Sequence, residues 1–408
     1  MTRHNNSALE LVLQWQSEIS HHTDRIYIPV YDPADLNLSG HLKHCLNITS
    51  VTGKEKEPLN PEPCNFFEYD PELQVQVPLK AIKPIGPTGF RVIPRVGRFY
   101  PRLVIAGYLG INSHDRQPMR VIKTDATSFT VDLNHPLSGL EVNTGARLVE
   151  IQDMEVGISH GETQRPIDPF TIAFGSGIGL QRTYRHCPDY YQDDIFIRQD
   201  MEDDALFYQQ DRLVAHIDQS ASDAIAEIYR RYLRPGMKVL DLMSSIQSHI
   251  PTDITDLHVT GLGMNARELS ANPQLNDSLV HDLNLNPVLP FDDDYFDITI
   301  CSLSIEYLTE PLSILREIVR VTRPRGKVLI SFSNRFFSTK VVAIWHELHP
   351  FERLGLVVDL MRKTGKFNEL KTESMQGQPR ANDDIYFEKI KTGDPVFVVS
   401  GSVYDTCI

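Results

Sequence analysis

The sequence predicts a β-rich N-terminal domain followed by a doubly wound α/β domain, whose mostly parallel sheet ends in an antiparallel C-terminal hairpin. Before residue 200, turn-forming prolines and glycines are dense, and short apolar or alternating runs lie between them. After residue 200, continuous apolar strands alternate with amphipathic helices, as in a parallel sheet covered on both faces. We therefore expect domains at residues 1–156 and 205–408, joined by an ordered, aromatic-rich connector at residues 157–204.

The N-terminal domain is predicted to hold one helix and several strands. Residues 7–20 are the helical candidate, because their apolar side chains recur near a spacing of 3.6 residues. The expected strands are residues 73–79, 90–93, 103–106, 119–122, 129–133 and 146–151.

The C-terminal domain is predicted to alternate strands with helices. Helices are expected at residues 221–233 and 312–321, and parallel strands at 237–243, 258–262, 298–302 and 327–332. The closing hairpin is expected to pair residues 385–390 with 395–403.

Composition excludes several classes of protein. The chain has 40 Lys+Arg against 54 Asp+Glu, and this balance disfavours general nucleic-acid binding through bulk charge. Five cysteines without a CxxC pair argue against a disulfide framework and a structural zinc site, and the scattered histidines suggest no metal set. With no secretory signal and no apolar run long enough for a membrane helix, we expect a cytoplasmic protein without membrane contact.

Polar residues follow the predicted strands where ligands bind in open α/β sheets. Asp241 ends the KVLDLMSS strand and precedes the small residues Ser244 and Ser245. Further on, the HDLN segment places Asp282 and Asn284 in another strand-end loop. Because the carboxyl ends of parallel strands meet at one edge, these side chains are expected to border one ligand.

The order of these pieces resembles class I S-adenosylmethionine-dependent methyltransferases of the type 11 arrangement. An acidic strand end is followed by a loop ending in LPF, an FDITI strand, and a helix leading to RPRG, over about residues 205–340. The resemblance implies a Rossmann-like methyltransferase fold with S-adenosylmethionine as cofactor. By position, it implies cofactor contacts from Asp241, Met243, Ser244, Ser245, Asn265, Asp282, Leu283 and Ser302.

Two segments depart from that family's pattern. Serines at positions 244 and 245 stand in the loop that is usually glycine-rich. Asn265 follows the second strand, where the family carries an acid for the ribose hydroxyls. An asparagine amide can bond a ribose hydroxyl, but more weakly than a carboxylate does.

Residues near the expected methyl group are candidates for chemistry. His249 lies in the loop after the first strand and is either a base or substrate-orienting group, or a packing residue. Tyr307, beside Glu306, is either a substrate contact or an aromatic packing residue. Asn334 and Arg335 follow the fifth strand and are candidates to clamp an anionic substrate, with a surface ion pair as the alternative for Arg335.

Two further residues precede the first helix of this domain. Arg212 and His216 are four positions apart and would share one face of a helix. They could close over the cofactor, or serve as a helix cap or interdomain contact.

A second resemblance lies in the N-terminal half. The segment VDLNHPLSG, residues 131–139, is similar to the segment that closes the insert of SlyD-like FKBP-type peptidyl-prolyl isomerases. The match covers about residues 90–155 and implies a chaperone-like module, with ARLVEIQDM as the strand that returns to the barrel.

Three functions follow from these patterns. The first is a methyltransferase whose small-molecule or peptide substrate is recruited by the N-terminal module. The second is a non-catalytic scaffold or chaperone with a degenerate cofactor fold, and the third is a peptidyl-prolyl isomerase with an appended methyltransferase-like domain. The methyl acceptor and the oligomeric state are not indicated by the sequence.

Overall fold

The computed structural model describes residues 7–30, 49–50, 61–64, 68–84, 92–115, 117–150, 190–191 and 194–404. Its strands are β1 (Ser7–Gln16), β2 (His21–Val30), β3 (Thr49–Ser50), β4 (Glu62–Cys64), β5 (Gln74–Pro78), β6 (Phe99–Pro101), β7 (Pro118–Thr124), β8 (Ser128–Asp132), β9 (Val142–Glu150), β10 (Lys238–Leu242), β11 (His258–Gly263), β12 (Asp277–Val280), β13 (Phe296–Ser302), β14 (Thr322–Phe332), β15 (Phe367–Gln376) and β16 (Val396–Val403). The α-helices are α1 (Asp204–Tyr208), α2 (Gln219–Arg230), α3 (Ala266–Ala271), α4 (Pro311–Val321), α5 (Ala343–Glu347) and α6 (Pro350–Lys363).

The α/β part has the predicted mixed sheet. Its strand order is β12-β11-β10-β13-β14-β16-β15, with the first five strands parallel and β16 antiparallel to both of its neighbours. The middle strands are buried on both faces, which explains their continuous apolar runs. The predicted helices at 221–233 and 312–321 are confirmed as α2 and α4.

The C-terminal hairpin is confirmed, but its predicted partner is wrong. β16 pairs with β15, whereas residues 385–390 form turns and Ile385 is 85% exposed. β15 carries Glu and Lys side chains that hide its strand character in the sequence, although several of its other residues are buried.

The N-terminal segment is a strand and not the predicted helix. Residues 7–16 form β1, which lies between β2 and β9 in antiparallel pairing. Leu9, Leu11, Val12 and Trp15 are all buried because both faces of β1 are covered. Apolar residues on both faces of a strand can imitate a helical spacing, and this misled the prediction.

The other N-terminal predictions have mixed outcomes. Predicted strands at 73–79, 119–122, 129–133 and 146–151 correspond to β5, β7, β8 and β9. Residues 103–106 are wrong as a strand, because Arg102–Ile105 is a 3₁₀ turn. Residues 90–91 lie outside the described residues, and residues 92–93 are not in a strand.

A second sheet, in the order β5-β8-β7-β6, buries a small apolar core around Val77 and Phe129. The segment that resembles SlyD-like isomerases connects β8 to β9, and its family assignment stays a prediction. Most of the predicted connector, residues 157–189 and 192–193, lies outside the described residues. Within the described part of the chain, no helix has both the length and the apolar character needed to cross a bilayer.

The main sheet continues from the α/β part into the N-terminal strands. β2 pairs in parallel with β15, and β1, β9 and β3 follow in order. His22 Nδ1 and Thr372 Oγ1 form a hydrogen bond of 2.6 Å across this junction. The division at residue 156 stays a prediction, since one sheet spans both sides of it.

A buried ion pair joins the second sheet to α6. Arg98 Nε lies 3.2 Å from Glu352 Oε1, and the two side chains are 0% and 3% exposed. The amide of Phe99 also donates to Glu352 Oε1, over 2.9 Å. Arg98 and Phe99 therefore both compensate the cost of burying this carboxylate.

Replacing Arg98 by methionine should lower the free energy of unfolding by about 3–5 kcal/mol, because it leaves Glu352 buried without its cation. Urea denaturation measures the change. As a control, R230M removes an exposed arginine that pairs with Asp253, and it should cost under about 1 kcal/mol. Equal losses in the two variants would contradict the role of the buried pair.

Candidate functional site

The candidate site lies at the carboxyl ends of β10, β11, β12 and β13, where ligands bind in open α/β sheets. Residues 203–212, which include α1, cross these strand ends, and we call this segment the strap. Asp203 caps α1 by accepting a hydrogen bond of 2.8 Å from the Ala205 amide.

The loop after β10 is held tightly against β11. Ser244 N donates to Leu262 O over 2.8 Å, and Ser244 Oγ donates to Asp241 Oδ2 over 2.6 Å. At Gly263, an added Cβ would overlap the Ser244 carbonyl oxygen, so the close approach requires glycine. Asp241 is 2% exposed, and burial raises its pKa to about 6, against the lowering effect of the Ser244 and Ser248 hydroxyls.

The loop after β11 is bound to the strap. Asn265 Oδ1 accepts from the amides of Arg267 and Glu268 and so caps α3. Asn265 Nδ2 donates to Tyr208 O over 2.9 Å and to Asp211 Oδ1 over 3.0 Å. The predicted ribose contact of Asn265 therefore competes with protein partners on both sides of its amide.

Glu268 belongs to the site and was missed by sequence reasoning. Its Oε2 accepts from Ser245 Oγ over 2.7 Å, and its Oε1 accepts from Arg212 N over 2.8 Å. The buried carboxylate thus links the loop after β10 to the strap. The available signal was an Asn-x-x-Glu pattern at the start of α3, which is typical of a helix cap.

The loop after β12 also contacts the strap. Asp282 Oδ1 accepts from the amides of Asn284 and Leu285, and Leu283 is buried in the main core. Asn284 Nδ2 donates to Asp204 Oδ2 over 2.9 Å. The structure thus brings the residues after β10, β11 and β12 together beneath one segment.

The residues after β13 are mostly engaged within the protein. Ser302 Oγ forms a hydrogen bond of 2.8 Å with Tyr229 OH. Tyr307 OH accepts from Phe337 N over 2.9 Å, and its ring packs against Phe337 at 5.9 Å between centroids. Both contacts favour the packing alternative for Tyr307, whose catalytic role stays a prediction.

Glu306 is a buried carboxylate in this segment. It is 0% exposed, and neither carboxylate oxygen accepts a hydrogen bond from another described residue. Burial raises the pKa of Glu306 to about 8, although Arg353 lowers it. At neutral pH this side chain is therefore mostly protonated.

The raised pKa of Glu306 predicts a pH-dependent stability. The folded state holds the proton more strongly than the unfolded state, so this contribution is complete below pH 4.5 and is lost as the pH rises through 8. In E306Q the melting temperature should fall less between pH 6 and pH 9 than in the wild type. E388Q, at an exposed glutamate, should follow the wild-type curve; parallel curves for all three proteins would refute the assignment.

Three residues near the same edge of the sheet have left-handed backbone. Met243, His249 and Leu303 have φ angles of 56°, 55° and 56°. Bulky residues in the left-handed region cost free energy and persist where the surrounding structure enforces them, often at functional sites. Met243 and Leu303 directly follow β10 and β13, so the strain marks the predicted ligand edge.

His249 is buried beside α2. Its Nδ1 forms a hydrogen bond of 2.9 Å with Ser222 Oγ. Burial, with the nearby His216, lowers the pKa of His249 to about 4. The imidazole is therefore neutral at physiological pH and is a weak base.

Arg212 and His216 lie near one aromatic ring, but not on one helix. Helix α1 ends at Tyr208, so the predicted helical face is wrong. The Arg212 guanidinium lies 5.1 Å and the His216 ring 6.1 Å from the centroid of Phe337. The two residues still converge at the carboxyl end of β14.

Asn334 and Arg335 precede Phe337 in the same loop, and both are exposed. Arg335 Nη1 lies 3.6 Å from Asp394 Oδ2, and its guanidinium lies over Tyr386 at 5.2 Å. The ion pair agrees with the structural alternative for Arg335, while leaving the side chain partly accessible. Its role as a substrate clamp stays a prediction.

The buried carboxyl groups of Asp241 and Glu306 suit a cationic ligand. Asp241 on β10 is paired with Ile300 on β13, and Glu306 lies in the turn that follows β13. Two buried carboxylates with raised pKa values are stabilised when a positive group approaches them. S-adenosylmethionine carries a sulfonium and an ammonium group, so its methionine end matches this chemistry.

Comparisons with known proteins concern the C-terminal half of the chain. Residues 249–330 match the family model described as a methyltransferase domain. The ubiquinone/menaquinone biosynthesis C-methyltransferase of Shewanella baltica is 27% identical over 176 residues, which are 39% of this chain and 69% of that protein. The enzyme of the same name from Shewanella sediminis is 27% identical over 157 residues, 36% of this chain and 62% of that protein.

Two of the solved structures to which the chain is partly similar are named as methyltransferases. A putative methyltransferase from Bacillus halodurans is 13% identical, covers 45% of this chain and 99% of its own, and has a TM-score of 0.32. Phosphoethanolamine N-methyltransferase 2 of Haemonchus contortus, in complex with S-adenosylmethionine, is 13% identical to this chain. The match covers 45% of this chain and 52% of that protein, with a TM-score of 0.32. The family match over residues 249–330 and the curated relatives support an S-adenosylmethionine-dependent methyltransferase in the C-terminal half of the chain.

Proposed function

We propose that the chain transfers a methyl group from S-adenosylmethionine to a small-molecule or peptide acceptor at the carboxyl ends of β10 and β13. The observation that carries this proposal is the pair of buried carboxylates, Asp241 and Glu306, beside β13 at that edge. A cationic cofactor would compensate the cost of their burial.

The bound cofactor would supply an electrophilic methyl group. Asp241 would hold its ammonium group, directly or through water, and the Ser244–Ser245 backbone would border its methionine part. Met243, Asn265, Asp282, Leu283 and Ser302 are the other proposed contacts. Asp282 Oδ1 already accepts two local hydrogen bonds, so Asp282 would contact the nucleoside through Oδ2. Both the oxygen and the NH2 group of the Asn265 amide are fully engaged within the protein, so Asn265 would exchange its contact with Tyr208 or Asp211 for a ribose hydroxyl.

The acceptor would lie between the strap and the loop after β14. Arg335 and Asn334 would contact an anionic group there, and Arg212 lies over the ring of Phe337 in the same loop. His249 and Tyr307 are the proposed residues near the methyl group. The curated relatives are named as C-methyltransferases, so an acceptor with a nucleophilic carbon is the first to test.

The N-terminal strands would recruit or shape the entry of the acceptor. This role is supported by the continuous sheet and by the buried Arg98–Glu352 pair. Both features fix the N-terminal strands to the α/β part. A peptidyl-prolyl isomerase activity has no support beyond the sequence resemblance. A proline-limited refolding assay that gave the uncatalysed rate would exclude that activity.

Calorimetric titration with S-adenosylmethionine and S-adenosylhomocysteine tests the proposed function. We expect saturable binding of both ligands, with a rise in melting temperature as a second readout. Absence of heat and of thermal shift at millimolar concentrations of both ligands would refute it. The non-catalytic scaffold would then be favoured.

A further inference from the structure

The contacts of His249 bear on which of its two ring nitrogens carries the proton. Gln247 Nε2 donates to Ser222 Oγ over 2.8 Å, and Ser222 Oγ lies 2.9 Å from His249 Nδ1. Gln247 occupies one of the two acceptor positions of the hydroxyl and leaves its hydrogen free to be donated to His249. When the hydroxyl donates to Nδ1, the proton of the neutral ring sits on Nε2.

The surroundings keep this arrangement fixed. Ser222 lies in the first helical turn of α2, and both Ser222 and His249 are buried. The left-handed backbone of His249 holds the side chain in a strained loop beside that helix. No other described residue forms a hydrogen bond with His249 Nε2, so its N–H remains available for a ligand.

Resting on the proposed function, we propose that Ser222 is a positioning residue that holds His249 as the Nε2–H tautomer, so that His249 acts on the methyl acceptor as a hydrogen-bond donor and not as a general base. In this tautomer the only ring lone pair, on Nδ1, is occupied by the Ser222 hydroxyl. The acceptor class that fits such a donor presents a carbonyl, enolate or phenolate oxygen beside the reacting atom.

Long-range ¹H–¹⁵N correlation spectra of the full chain, labelled with ¹⁵N-histidine, test the tautomer directly. The His249 signals are assigned by comparison with H249Q. We expect a protonated Nε2 and an unprotonated Nδ1 in the wild type. S222A should increase the Nδ1–H population at least several-fold, whereas S222T should retain the wild-type tautomer.

A second variant covers the case in which S222A does not fold. Q247A removes the amide that competes for the acceptor positions of Ser222 Oγ, so it should also raise the Nδ1–H population. A wild-type ring protonated at Nδ1, or folded variants with an unchanged tautomer, would overturn the inference.

Ligand binding separates this inference from the proposed function. Titration with S-adenosylhomocysteine should give S222A the wild-type affinity within about twofold, because Ser222 is not among the proposed cofactor contacts. A large loss of affinity in folded S222A would place Ser222 in cofactor binding and overturn the assigned role. Failure of the wild type to bind either cofactor form refutes the methyltransferase proposal, whatever the tautomer.

Discussion

Replacing Asp241 by asparagine should stabilise the folded protein above pH 6 and, at the same time, weaken binding of S-adenosylhomocysteine at least tenfold. Burial raises the pKa of Asp241 from 3.8 to about 6, so ionisation of this group opposes folding. The stabilising contribution of the protonated form is present below pH 4 and is lost as the pH rises through 6. Two pKa units correspond to about 3 kcal/mol, which is the upper limit of the gain in D241N.

Urea denaturation at pH 5 and pH 8 measures the first effect, and calorimetric titration with S-adenosylhomocysteine measures the second. Weak binding is expected because an amide carries no charge to pair with the ligand's ammonium group. D277N is the matched control, since Asp277 is exposed on β12 and pairs with His258. D241N protein that bound as tightly as the wild type would remove Asp241 from the proposed cofactor site.

Replacing Gly263 by alanine should disrupt the loop after β10 and abolish cofactor binding. The added Cβ would overlap the Ser244 carbonyl oxygen and press on Leu269. A backbone carbonyl has little freedom to yield, and overpacking of this kind costs about 1–3 kcal/mol. The displaced segment includes Ser244 and Ser245, which border the proposed cofactor.

G261A is a matched control on the same strand. At Gly261 the added Cβ meets only the terminal methyl groups of Leu275, which a flexible side chain can move. We expect G261A to keep measurable affinity for S-adenosylhomocysteine in calorimetric titration, and G263A to lose it. Equal affinities in the two variants would show that the Gly263–Ser244 approach is not needed for binding.

The parallel strands could be predicted because their burial leaves a clear pattern. β10, β13 and β14 read as apolar runs between turns, and their order carried the resemblance to methyltransferases. β1 and β15 could not be assigned in the same way. The burial of β1 on both faces imitates a helix, and the charged residues of β15 conceal a strand whose partners are distant in sequence.

The convergence of the candidate residues at the strand ends could be predicted, but their hydrogen bonding could not. Asp241 and Ser244 lie together as expected, since strand ends converge in any sheet of this type. The partners of Asn265 and the position of Glu268 depend on the strap, and the path of a non-helical segment across a sheet has no periodic signature. His249 could be placed in the correct loop, but its buried contact with Ser222 required the packing of α2.

The parallel pairing of β2 with β15 has a consequence for biosynthesis. His21 and Lys371 are neighbours in the sheet although 350 residues separate them. During translation the N-terminal hairpin therefore leaves the ribosome long before its partner strand exists. We expect slow, post-translational completion of the sheet, and a nascent chain whose open hairpin edge needs protection from aggregation until synthesis is nearly finished.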